Sequence, residues 1–285
     1  MSSKILYLDC GMGAAGDMLT AALLDMLAED ERRTFVEAFN SVGIPEVVMT
    51  SEYSVKCGIT GTHVTIKVHG NEEDEHLHEH ENHHEHAHTH THADGSSHSH
   101  SHNGTVEIRH IVNDHLTGIS DKVREDILKV YDIIAEAESK VHGVPVTDIH
   151  FHEVGTMDAL ADITAVCMLM EGIGADQVIA SPVNTGSGTV KCAHGILPVP
   201  APATANILIG IPAYSNGIQS ELCTPTGAAL LRYFVTRFGD MPISESCVLA
   251  LQGQYGFQGS GQEPHGSRQD HHGDDQGSRH QGLLR

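Results

Sequence analysis

The sequence of 285 residues is poor in positive charge, in paired cysteines and in long apolar runs. It contains 16 Lys and Arg against 38 Asp and Glu, which gives a net charge of −22 with neutral histidine. A chain this acidic is a poor partner for nucleic acid and for anionic membrane, whereas it attracts cations. We therefore expect no nucleic-acid partner and no membrane partner.

The cysteines and the apolar segments exclude two further classes of protein. The six cysteines show no C-x-x-C spacing, so we expect reduced thiols rather than a disulfide framework. No apolar run approaches the roughly 18 residues of a membrane span. The short apolar run at residues 5–8 leads directly into glycine and aspartate, which is not the pattern of a secretion signal. These absences predict a soluble, cytoplasmic protein.

Only 39% of the residues are hydrophobic, and two segments account for this low value. Residues 69–104 are rich in histidine, with 13 His among the 34 positions 69–102, and residues 246–285 are mostly polar. Neither segment has enough apolar side chains to form a core, so both are predicted to be disordered. A shift of reading frame is the alternative for the second segment.

The histidine-rich segment is a candidate metal-binding insertion. Neutral imidazoles are abundant near pH 7, and nickel and zinc are the ions that they suit. The irregular spacing favours buffering or delivery of the ion over a fixed catalytic site, and a tolerated low-complexity loop is the alternative. The predicted ligands are His76, His78, His80, His83, His84 and His86.

The remaining residues, 1–68 and 105–245, are predicted to form one α/β domain with a mixed sheet and flanking helices; an α+β arrangement is the alternative. Residues 1–68 have the pattern β-α-α-β-β, with a hairpin around residue 57. Helices are predicted to begin after the capping residues Ser120 and Thr224 and near Thr156. Thr105 is predicted to be the N-cap of a further helix that continues to Leu116.

A glycine-rich loop follows the first predicted strand. Gly11, Gly13 and Gly16 match G-x-G-x-x-G between a strand and a helix, which is the context of dinucleotide binding. Asp9 and Asp17 would repel a pyrophosphate, so a seat for one phosphate is the second reading. In that reading Asp17 or Asp9 serves as an acid, a base or an ion ligand. A tight turn without a ligand is the third.

Residues 142–163 concentrate groups that bind metals. An extended segment would direct His150 and His152 to one face, next to Glu153, and a helix from about residue 156 would place Asp158 and Asp162 one turn apart. Imidazole with carboxylate is a ligand set for nickel, zinc or iron. The alternative is a hydrogen-bonded histidine pair beside solvated aspartates.

Two other loops carry candidate groups. Lys191, Cys192 and His194 stand within four residues, and cationic neighbours lower the pKa of a thiol, which makes Cys192 a candidate thiolate. Thr224 and Thr226 begin a helix and offer hydroxyl and N–H groups to an anion.

These stretches together resemble the LarC family, the nickel-insertion proteins of nickel-pincer cofactor biosynthesis. The matching segments are LDCGMGAAGDM at 8–18, the histidine-rich insertion, AEAESKVHG at 135–143, HFHEVG at 150–155, VKCAHGILPVPAPAT at 190–204 and LCTPTGAA at 222–229. The resemblance implies insertion of Ni²⁺ into pyridinium-3,5-bisthiocarboxylic acid mononucleotide, to make the cofactor of lactate racemase-type enzymes. It also implies that the reaction consumes CTP, releases CMP and diphosphate, and uses Mn²⁺ or Mg²⁺ as a further ion.

The resemblance gives each candidate group an expected role. The phosphate of the substrate would lie on the glycine loop or on Thr224 and Thr226, and residues 150–158 would hold nickel. Cys192 or His194 would pass on the ion or remove the ring proton. Family members of full length continue into a second domain associated with CTP binding and oligomerisation, so a separately encoded C-terminal portion and a homo-oligomer are expected partners. A nickel-storage protein or chaperone is the main alternative function, and a nucleotide-dependent oxidoreductase is a third.

Overall fold

A computed structural model describes residues 3–56, 58–72, 90–91, 97–98, 104–149, 151, 154–243 and 247–251. The helices are α1 (Gly16–Asp25), α2 (Glu29–Asn40), α3 (Thr105–His110), α4 (Asp121–His142), α5 (Met157–Ile173), α6 (Pro202–Ile207) and α7 (Pro225–Phe234). The strands are β1 (Ile5–Asp9), β2 (Val47–Lys56), β3 (Ile59–Val68), β4 (Asn71–Glu72), β5 (His90–Thr91), β6 (Ser97–His98), β7 (Gln177–Ala180), β8 (Val183–Asn184), β9 (Thr189–Cys192), β10 (Gly195–Pro198), β11 (Ala213–Tyr214), β12 (Arg237–Phe238) and β13 (Cys247–Leu251).

The central sheet has four parallel strands in the order β12-β7-β1-β13. β1 lies between two neighbours, and its residues Leu6, Tyr7 and Leu8 are buried, as expected for an apolar strand inside a parallel sheet. Because the strands are parallel, the carboxyl ends of β1 and β7 meet at one edge of the sheet. The loops that leave this edge carry the candidate site.

An antiparallel hairpin of β2 and β3 packs against α1 and α5. Its pairing runs from Val47 opposite Val68 to Lys56 opposite Ile59. Alternate residues of β3, from Val64 to Val68, are buried, because successive side chains of a strand point to opposite faces.

The helices bury α5 almost completely. Leu160, Ile163 and Ala165 on α5 have no exposed surface, which fits a helix that is apolar on all sides. α4 is amphipathic, packs against α5, α6 and α7, and buries Ile127 and Ile134. No helix in the described part of the chain is long and apolar enough to cross a membrane.

The α/β class and the order β-α-α-β-β at the N-terminus are confirmed, as are the capping roles of Ser120 and Thr224. The helix predicted over 105–116 is an α-helix to His110 that continues as a π-helix over Ile111–His115. Its N-cap is Gly104 rather than Thr105.

One described strand follows the boundary predicted at residue 245. β13 lies within the segment predicted as a tail from residue 246, and it pairs in parallel with β1. The apolar segment CVLAL forms an edge strand next to β1, so the sheet extends to Leu251. Beyond it, and for most of residues 69–104, the predicted disorder concerns residues outside those described.

Candidate functional site

The glycine loop after β1 is held by its own backbone and by Asp9. The N–H of Gly13 donates to the carbonyl of Cys10 at 2.9 Å, and the N–H of Gly11 donates to Asp9 Oδ1 at 2.8 Å. Gly13 has a φ of 97°, and a Cβ there would lie 1.8 Å from the carbonyl oxygen of Leu222. Glycine is required at 13 for its conformation and because another protein segment lies against it.

The loop packs directly against the beginning of α7. The N–H of Ala14 donates to the carbonyl of Leu222 at 2.9 Å, and the N–H of Thr224 donates to the carbonyl of Ala14 at 3.0 Å. At the first turn of α7, a Cβ on Gly227 would lie 2.0 Å from the carbonyl oxygen of Ala14. The N-terminal ends of α1 and α7, the two predicted anion seats, are therefore neighbours.

The hydroxyl groups at the beginning of α7 already have partners within the protein. Thr224 Oγ1 accepts the N–H of Gly227 at 3.2 Å and lies 2.9 Å from Thr226 Oγ1. An anion at this end of α7 would meet a prearranged pair of hydroxyls and the N–H groups of the first turn, which carry the positive end of the helix dipole.

Asn184 joins the ends of β1 and β7 and was not predicted as a site residue. It is fully buried, its N–H donates to the carbonyl of Cys10 at 3.1 Å, and its Nδ2 donates to the carbonyl of Gly11 at 3.0 Å. Its Oδ1 accepts the N–H of Gly186 at 3.1 Å. A buried side-chain amide with these bonds fixes the glycine loop, so Asn184 acts as a positioning residue.

The acidic end of α5 approaches the same loop. The helix begins after Thr156, so the prediction that Asp158 and Asp162 lie one turn apart is confirmed. Asp162 is 8% exposed, and a Cβ on Gly16 would lie 2.6 Å from its Oδ2. The Asp162 carboxylate therefore lies against the first residue of α1, where the helix dipole favours negative charge.

Tyr131 of α4 lies behind these carboxylates. Burial, followed by the negative charges of Asp162 and Asp158, raises the pKa of its phenol well above the usual range. Its ring centre lies 5.7 Å from that of Phe151, which is also buried. The two aspartates and the phenol thus share one volume at the junction of α4, α5 and α1.

Asp17 follows Gly16 in the first turn of α1 and is exposed. One of its carboxylate oxygens, Oδ1, accepts the N–H of Met18 at 2.7 Å. Its carboxylate therefore lies on the solvent side of the first turn of α1.

The residues Lys191, Cys192 and His194 lie on the hairpin of β9 and β10, where Cys192 pairs with Gly195. Lys191 and His194 are exposed, and Cys192 is partly buried. The ring of His194 approaches that of His142, at the end of α4, with 5.0 Å between ring centres.

Buried thiols lie beneath the glycine loop. Burial, with the negative charge of Asp9, raises the pKa of Cys10 to about 12, and burial likewise raises the pKa of Cys223. Both thiols therefore stay protonated near neutral pH, which makes them poor metal ligands.

Comparison with known proteins identifies the family of this chain. The chain matches the family described as "Nickel insertion protein" over residues 6–253. The chain belongs to the nickel insertion protein family. No solved structure matches it.

Curated relatives of this nickel insertion family carry a more specific name. The chain is 42% identical over 240 residues to the pyridinium-3,5-bisthiocarboxylic acid mononucleotide nickel insertion protein of Clostridium kluyveri, covering 82% of this chain and 54% of that relative. It is 37% identical to the protein of the same name from Staphylococcus saprophyticus, covering 83% and 52%. The relative from Geobacillus kaustophilus is 35% identical, with 84% and 53% covered. The chain thus spans about half the length of the curated relatives it matches.

Several of the predicted nickel ligands lie outside the described residues: His150, His152, Glu153 and the histidines 76, 78, 80, 83, 84 and 86. Among the residues that the structure does describe, no group of three or more His, Cys, Asp or Glu side chains could hold a metal ion. What the fold of this nickel insertion family member brings together is the glycine loop, the beginning of α7 and the acidic end of α5.

The dinucleotide reading of the glycine loop gains no support from this geometry. The space next to Gly13 is filled by the backbone of Leu222, and the space next to Gly16 is filled by Asp162. A bound pyrophosphate would have to occupy the same two spaces. An open depression lined by Thr105, His110 and Thr147 lies elsewhere, and none of the predicted site residues lines it.

Proposed function

We propose that this chain is the nickel-handling and substrate-binding part of an enzyme that inserts Ni²⁺ into pyridinium-3,5-bisthiocarboxylic acid mononucleotide. The observation that carries the proposal is the contact between the N-terminal ends of α1 and α7, with Asp162 against Gly16. This is a seat for one phosphate next to carboxylates suited to a divalent ion. Membership of the nickel insertion protein family indicates that the ion is nickel.

The substrate's phosphate is assigned to the joined helix ends. With a net charge of −22, the chain cannot attract an anion by its overall field, so local N–H dipoles have to do so. The N–H groups of Gly11, Gly13 and Ala14 already donate within the protein. The candidates are therefore the N–H groups of Met12, Ala15, Gly16 and the first turn of α7, with the Thr224 and Thr226 hydroxyls. Gly11 is the loop glycine with the most open surroundings, since its nearest neighbour is Asp9.

The nickel ion is assigned to the acidic end of α5 and the residues that precede it. Asp158 and Asp162 supply carboxylates, and His150, His152 and Glu153 complete the candidate set. Nickel is a substrate here, because it leaves with the product. A site with mixed nitrogen and oxygen donors binds Ni²⁺ but gives it up to the sulfur atoms of the thiocarboxylates.

The chemical step replaces a proton by the metal. Two sulfur donors at ring positions 3 and 5 place Ni²⁺ over position 4, where a carbon–nickel bond forms as the carbon–hydrogen bond breaks. The electron pair of that bond stays on carbon, no redox change occurs, and the proton passes to a base. Asp17, Cys192 and His194 are the candidate bases, and the exposed ammonium of Lys191 is suited to an anionic thiocarboxylate.

We assign the binding and hydrolysis of CTP to a second polypeptide. CTP, hydrolysed to CMP and diphosphate with Mn²⁺ or Mg²⁺ on its phosphates, would bind the part of the relatives' length that this chain does not cover. We propose that the complete enzyme is a cytoplasmic homo-oligomer and is of the chelatase type, a lyase. The chain alone would bind nickel and substrate without turnover.

The test is incubation of the chain with nickel, CTP and the dithio-mononucleotide, with and without the polypeptide corresponding to the second half of the relatives. Mass spectrometry should detect the nickel adduct, with one proton fewer, only when both polypeptides are present. Substitution of His150 and His152 by alanine should abolish the adduct. Formation of the adduct at the full rate by that double variant would refute the nickel assignment.

Thr224→Ala has a matched control in Ser120→Ala. Both side chains accept the N–H three residues on, at 3.2 Å and 3.0 Å, so each loss costs about 1 kcal/mol of stability. Thr224→Ala should also raise KM for the mononucleotide about tenfold through the lost phosphate contact, a factor worth about 1.4 kcal/mol. An equal change of KM in Ser120→Ala would contradict the phosphate seat.

Nickel storage is the second candidate function, because 13 of residues 69–102 are histidine. Deletion of residues 71–102 separates the two functions. An insertase should retain its insertion activity at saturating nickel. A storage protein should lose most of its nickel-binding capacity, and it has no insertion activity to measure.

A further inference from the structure

A buried carboxylate already lies against one of the two helix ends that meet at the candidate site. Asp162 of α5 is 8% exposed, and a Cβ placed on Gly16, the first residue of α1, would lie 2.6 Å from its Oδ2. The two helices pack against each other, so the protein core holds this carboxylate in place. Asp162 therefore lies where the positive end of α1 would otherwise meet a ligand.

The glycine loop before α1 has few N–H groups left for an anion. Those of Gly11, Gly13 and Ala14 already donate to oxygen atoms of the protein, at 2.8–2.9 Å. One of these acceptors is Oδ1 of Asp9, which places a second carboxylate at the loop. In dinucleotide-binding proteins the pyrophosphate lies on the helix end that follows such a loop. In this chain protein carboxylates lie on both sides of that position.

The beginning of α7 differs from the beginning of α1. Its first turn contains no acidic residue, and the hydroxyls of Thr224 and Thr226 lie 2.9 Å apart there. Glu221, the acidic residue that precedes it in sequence, stands three positions before the N-cap. The positive end of α7 is therefore the part of the joined helix ends that suits an anion.

We propose that Asp162 is the specificity-determining residue that restricts this site to a phosphate monoester and rejects a diphosphate ester. The inference rests on the proposed function, because it takes the joined helix ends as the seat of the substrate's phosphate. A monoester places its one phosphate group at α7 and leaves the end of α1 to Asp162. The second phosphate group of a diphosphate reaches α1, where a buried carboxylate of the same charge repels it.

This role explains how a loop with the dinucleotide pattern serves a mononucleotide. Gly11, Gly13 and Gly16 follow the G-x-G-x-x-G spacing, yet the residue that decides the number of phosphate groups comes from α5, about 150 residues further along the chain. A purely structural role of Asp162, as a partner of the α1 dipole, would change stability and weaken both classes of ligand equally.

The experiment compares two probes by calorimetric titration of the full chain, with a chelator present to exclude metal ions. Nicotinate mononucleotide carries one phosphate group, and nicotinate adenine dinucleotide carries the same pyridinium ring on a diphosphate. The readout is the ratio of the two dissociation constants, which a general loss of affinity leaves unchanged. The wild-type chain should bind the mononucleotide at least about 100-fold more tightly than the dinucleotide.

Two substitutions separate charge from space. Asp162→Asn keeps the shape and removes the charge, so the preference for the mononucleotide should fall about tenfold. Asp162→Ala also opens the space beside Gly16 and should reduce the preference further. Because the first substitution changes no volume, its effect reports the second phosphate group rather than the adenosine. Asp121→Asn removes an exposed carboxylate from the first turn of α4 and is the matched control, with an unchanged ratio expected.

An unchanged ratio in both Asp162 variants would overturn the inference, as would an equal fall in Asp121→Asn. Circular dichroism and thermal unfolding check that each variant is folded. If the Asp162 variants do not fold, the wild-type chain still decides, because equal binding of the two probes overturns the inference. Binding of the mononucleotide with an unchanged ratio refutes only the role of Asp162. Binding of neither probe by the wild-type chain refutes the phosphate seat, and with it both the proposed function and the inference.

Discussion

Substitution of Gly227 by alanine tests the contact on which the candidate site depends. A Cβ at this position would lie 2.0 Å from the carbonyl oxygen of Ala14 and 2.3 Å from its carbonyl carbon. Both atoms belong to backbone, which cannot rotate away as a side chain can. The two hydrogen bonds that join the glycine loop to the segment before α7, Ala14 N–H to Leu222 and Thr224 N–H to Ala14, would have to lengthen.

Gly227→Ala should lower the free energy of unfolding, whereas helix propensity alone would raise it. In a free helix, glycine to alanine stabilises by about 1 kcal/mol. At residue 227 overpacking costs about 1–3 kcal/mol, and the two hydrogen bonds contribute about 1 kcal/mol each. The free energy of unfolding should therefore fall by about 2–4 kcal/mol. Phosphate binding at the joined helix ends should weaken with it.

Gly172, in the last turn of α5, is the matched control. It is helical, and a Cβ there would meet no atom within 4 Å, so Gly172→Ala should stabilise the protein by up to about 1 kcal/mol. Urea unfolding followed by circular dichroism measures both variants. The reasoning is refuted if Gly227→Ala is as stable as the parent, or if the two variants shift in the same direction.

Four further predictions concern buried groups and their partners. Tyr131→Phe should raise the free energy of unfolding by about 1 kcal/mol, because the buried hydroxyl has no hydrogen-bond partner among the described residues; a loss would show that it binds something. Tyr233→Phe should lower that free energy by about 1–3 kcal/mol, because it removes the 2.7 Å bond to the buried carboxylate of Asp126. The pKa of Cys10 rises from 9.0 to about 12, so the native state holds this proton more tightly and stability should fall as pH rises from about 9 towards 12. At pH 8, iodoacetamide should label Cys192 before Cys10, as read by peptide mass spectrometry; equal labelling would contradict the burial.

The sequence was sufficient for the local structure around the site. Ser120, Thr156 and Thr224 cap their helices through hydroxyl bonds to the third N–H, which is a property of a few neighbouring residues. The one-turn separation of Asp158 and Asp162 follows from the helix itself. These predictions hold because each depends on contacts within about four residues.

Contacts between distant segments were not readable from the sequence. The glycine pattern indicates that something approaches Gly13 closely, but it does not say whether that is a ligand or, as found, the carbonyl of Leu222. Asn184 was not predicted as a site residue, because its bonds to Cys10 and Gly11 arise from the sheet order.

The average composition of residues 246–285 did not reveal the strand at 247–251. The polar composition after residue 257 suggested that the domain had ended by residue 245, although CVLAL at 247–251 is a short apolar run of the kind found in buried strands. Five residues carry little weight in an average over forty. Their place in the sheet is set by pairing with β1, which no local pattern specifies.

The position of β1 between β7 and β13 bears on how the protein is made. Ile5 pairs with Gln177 and with Cys247, which lie far along the chain from it. The backbone of β1 therefore cannot complete its pairing until residues 247–251 have been translated. Such distant pairings slow folding and prolong exposure to aggregation, so yield in the cell should depend on chaperone supply more than native stability alone would suggest.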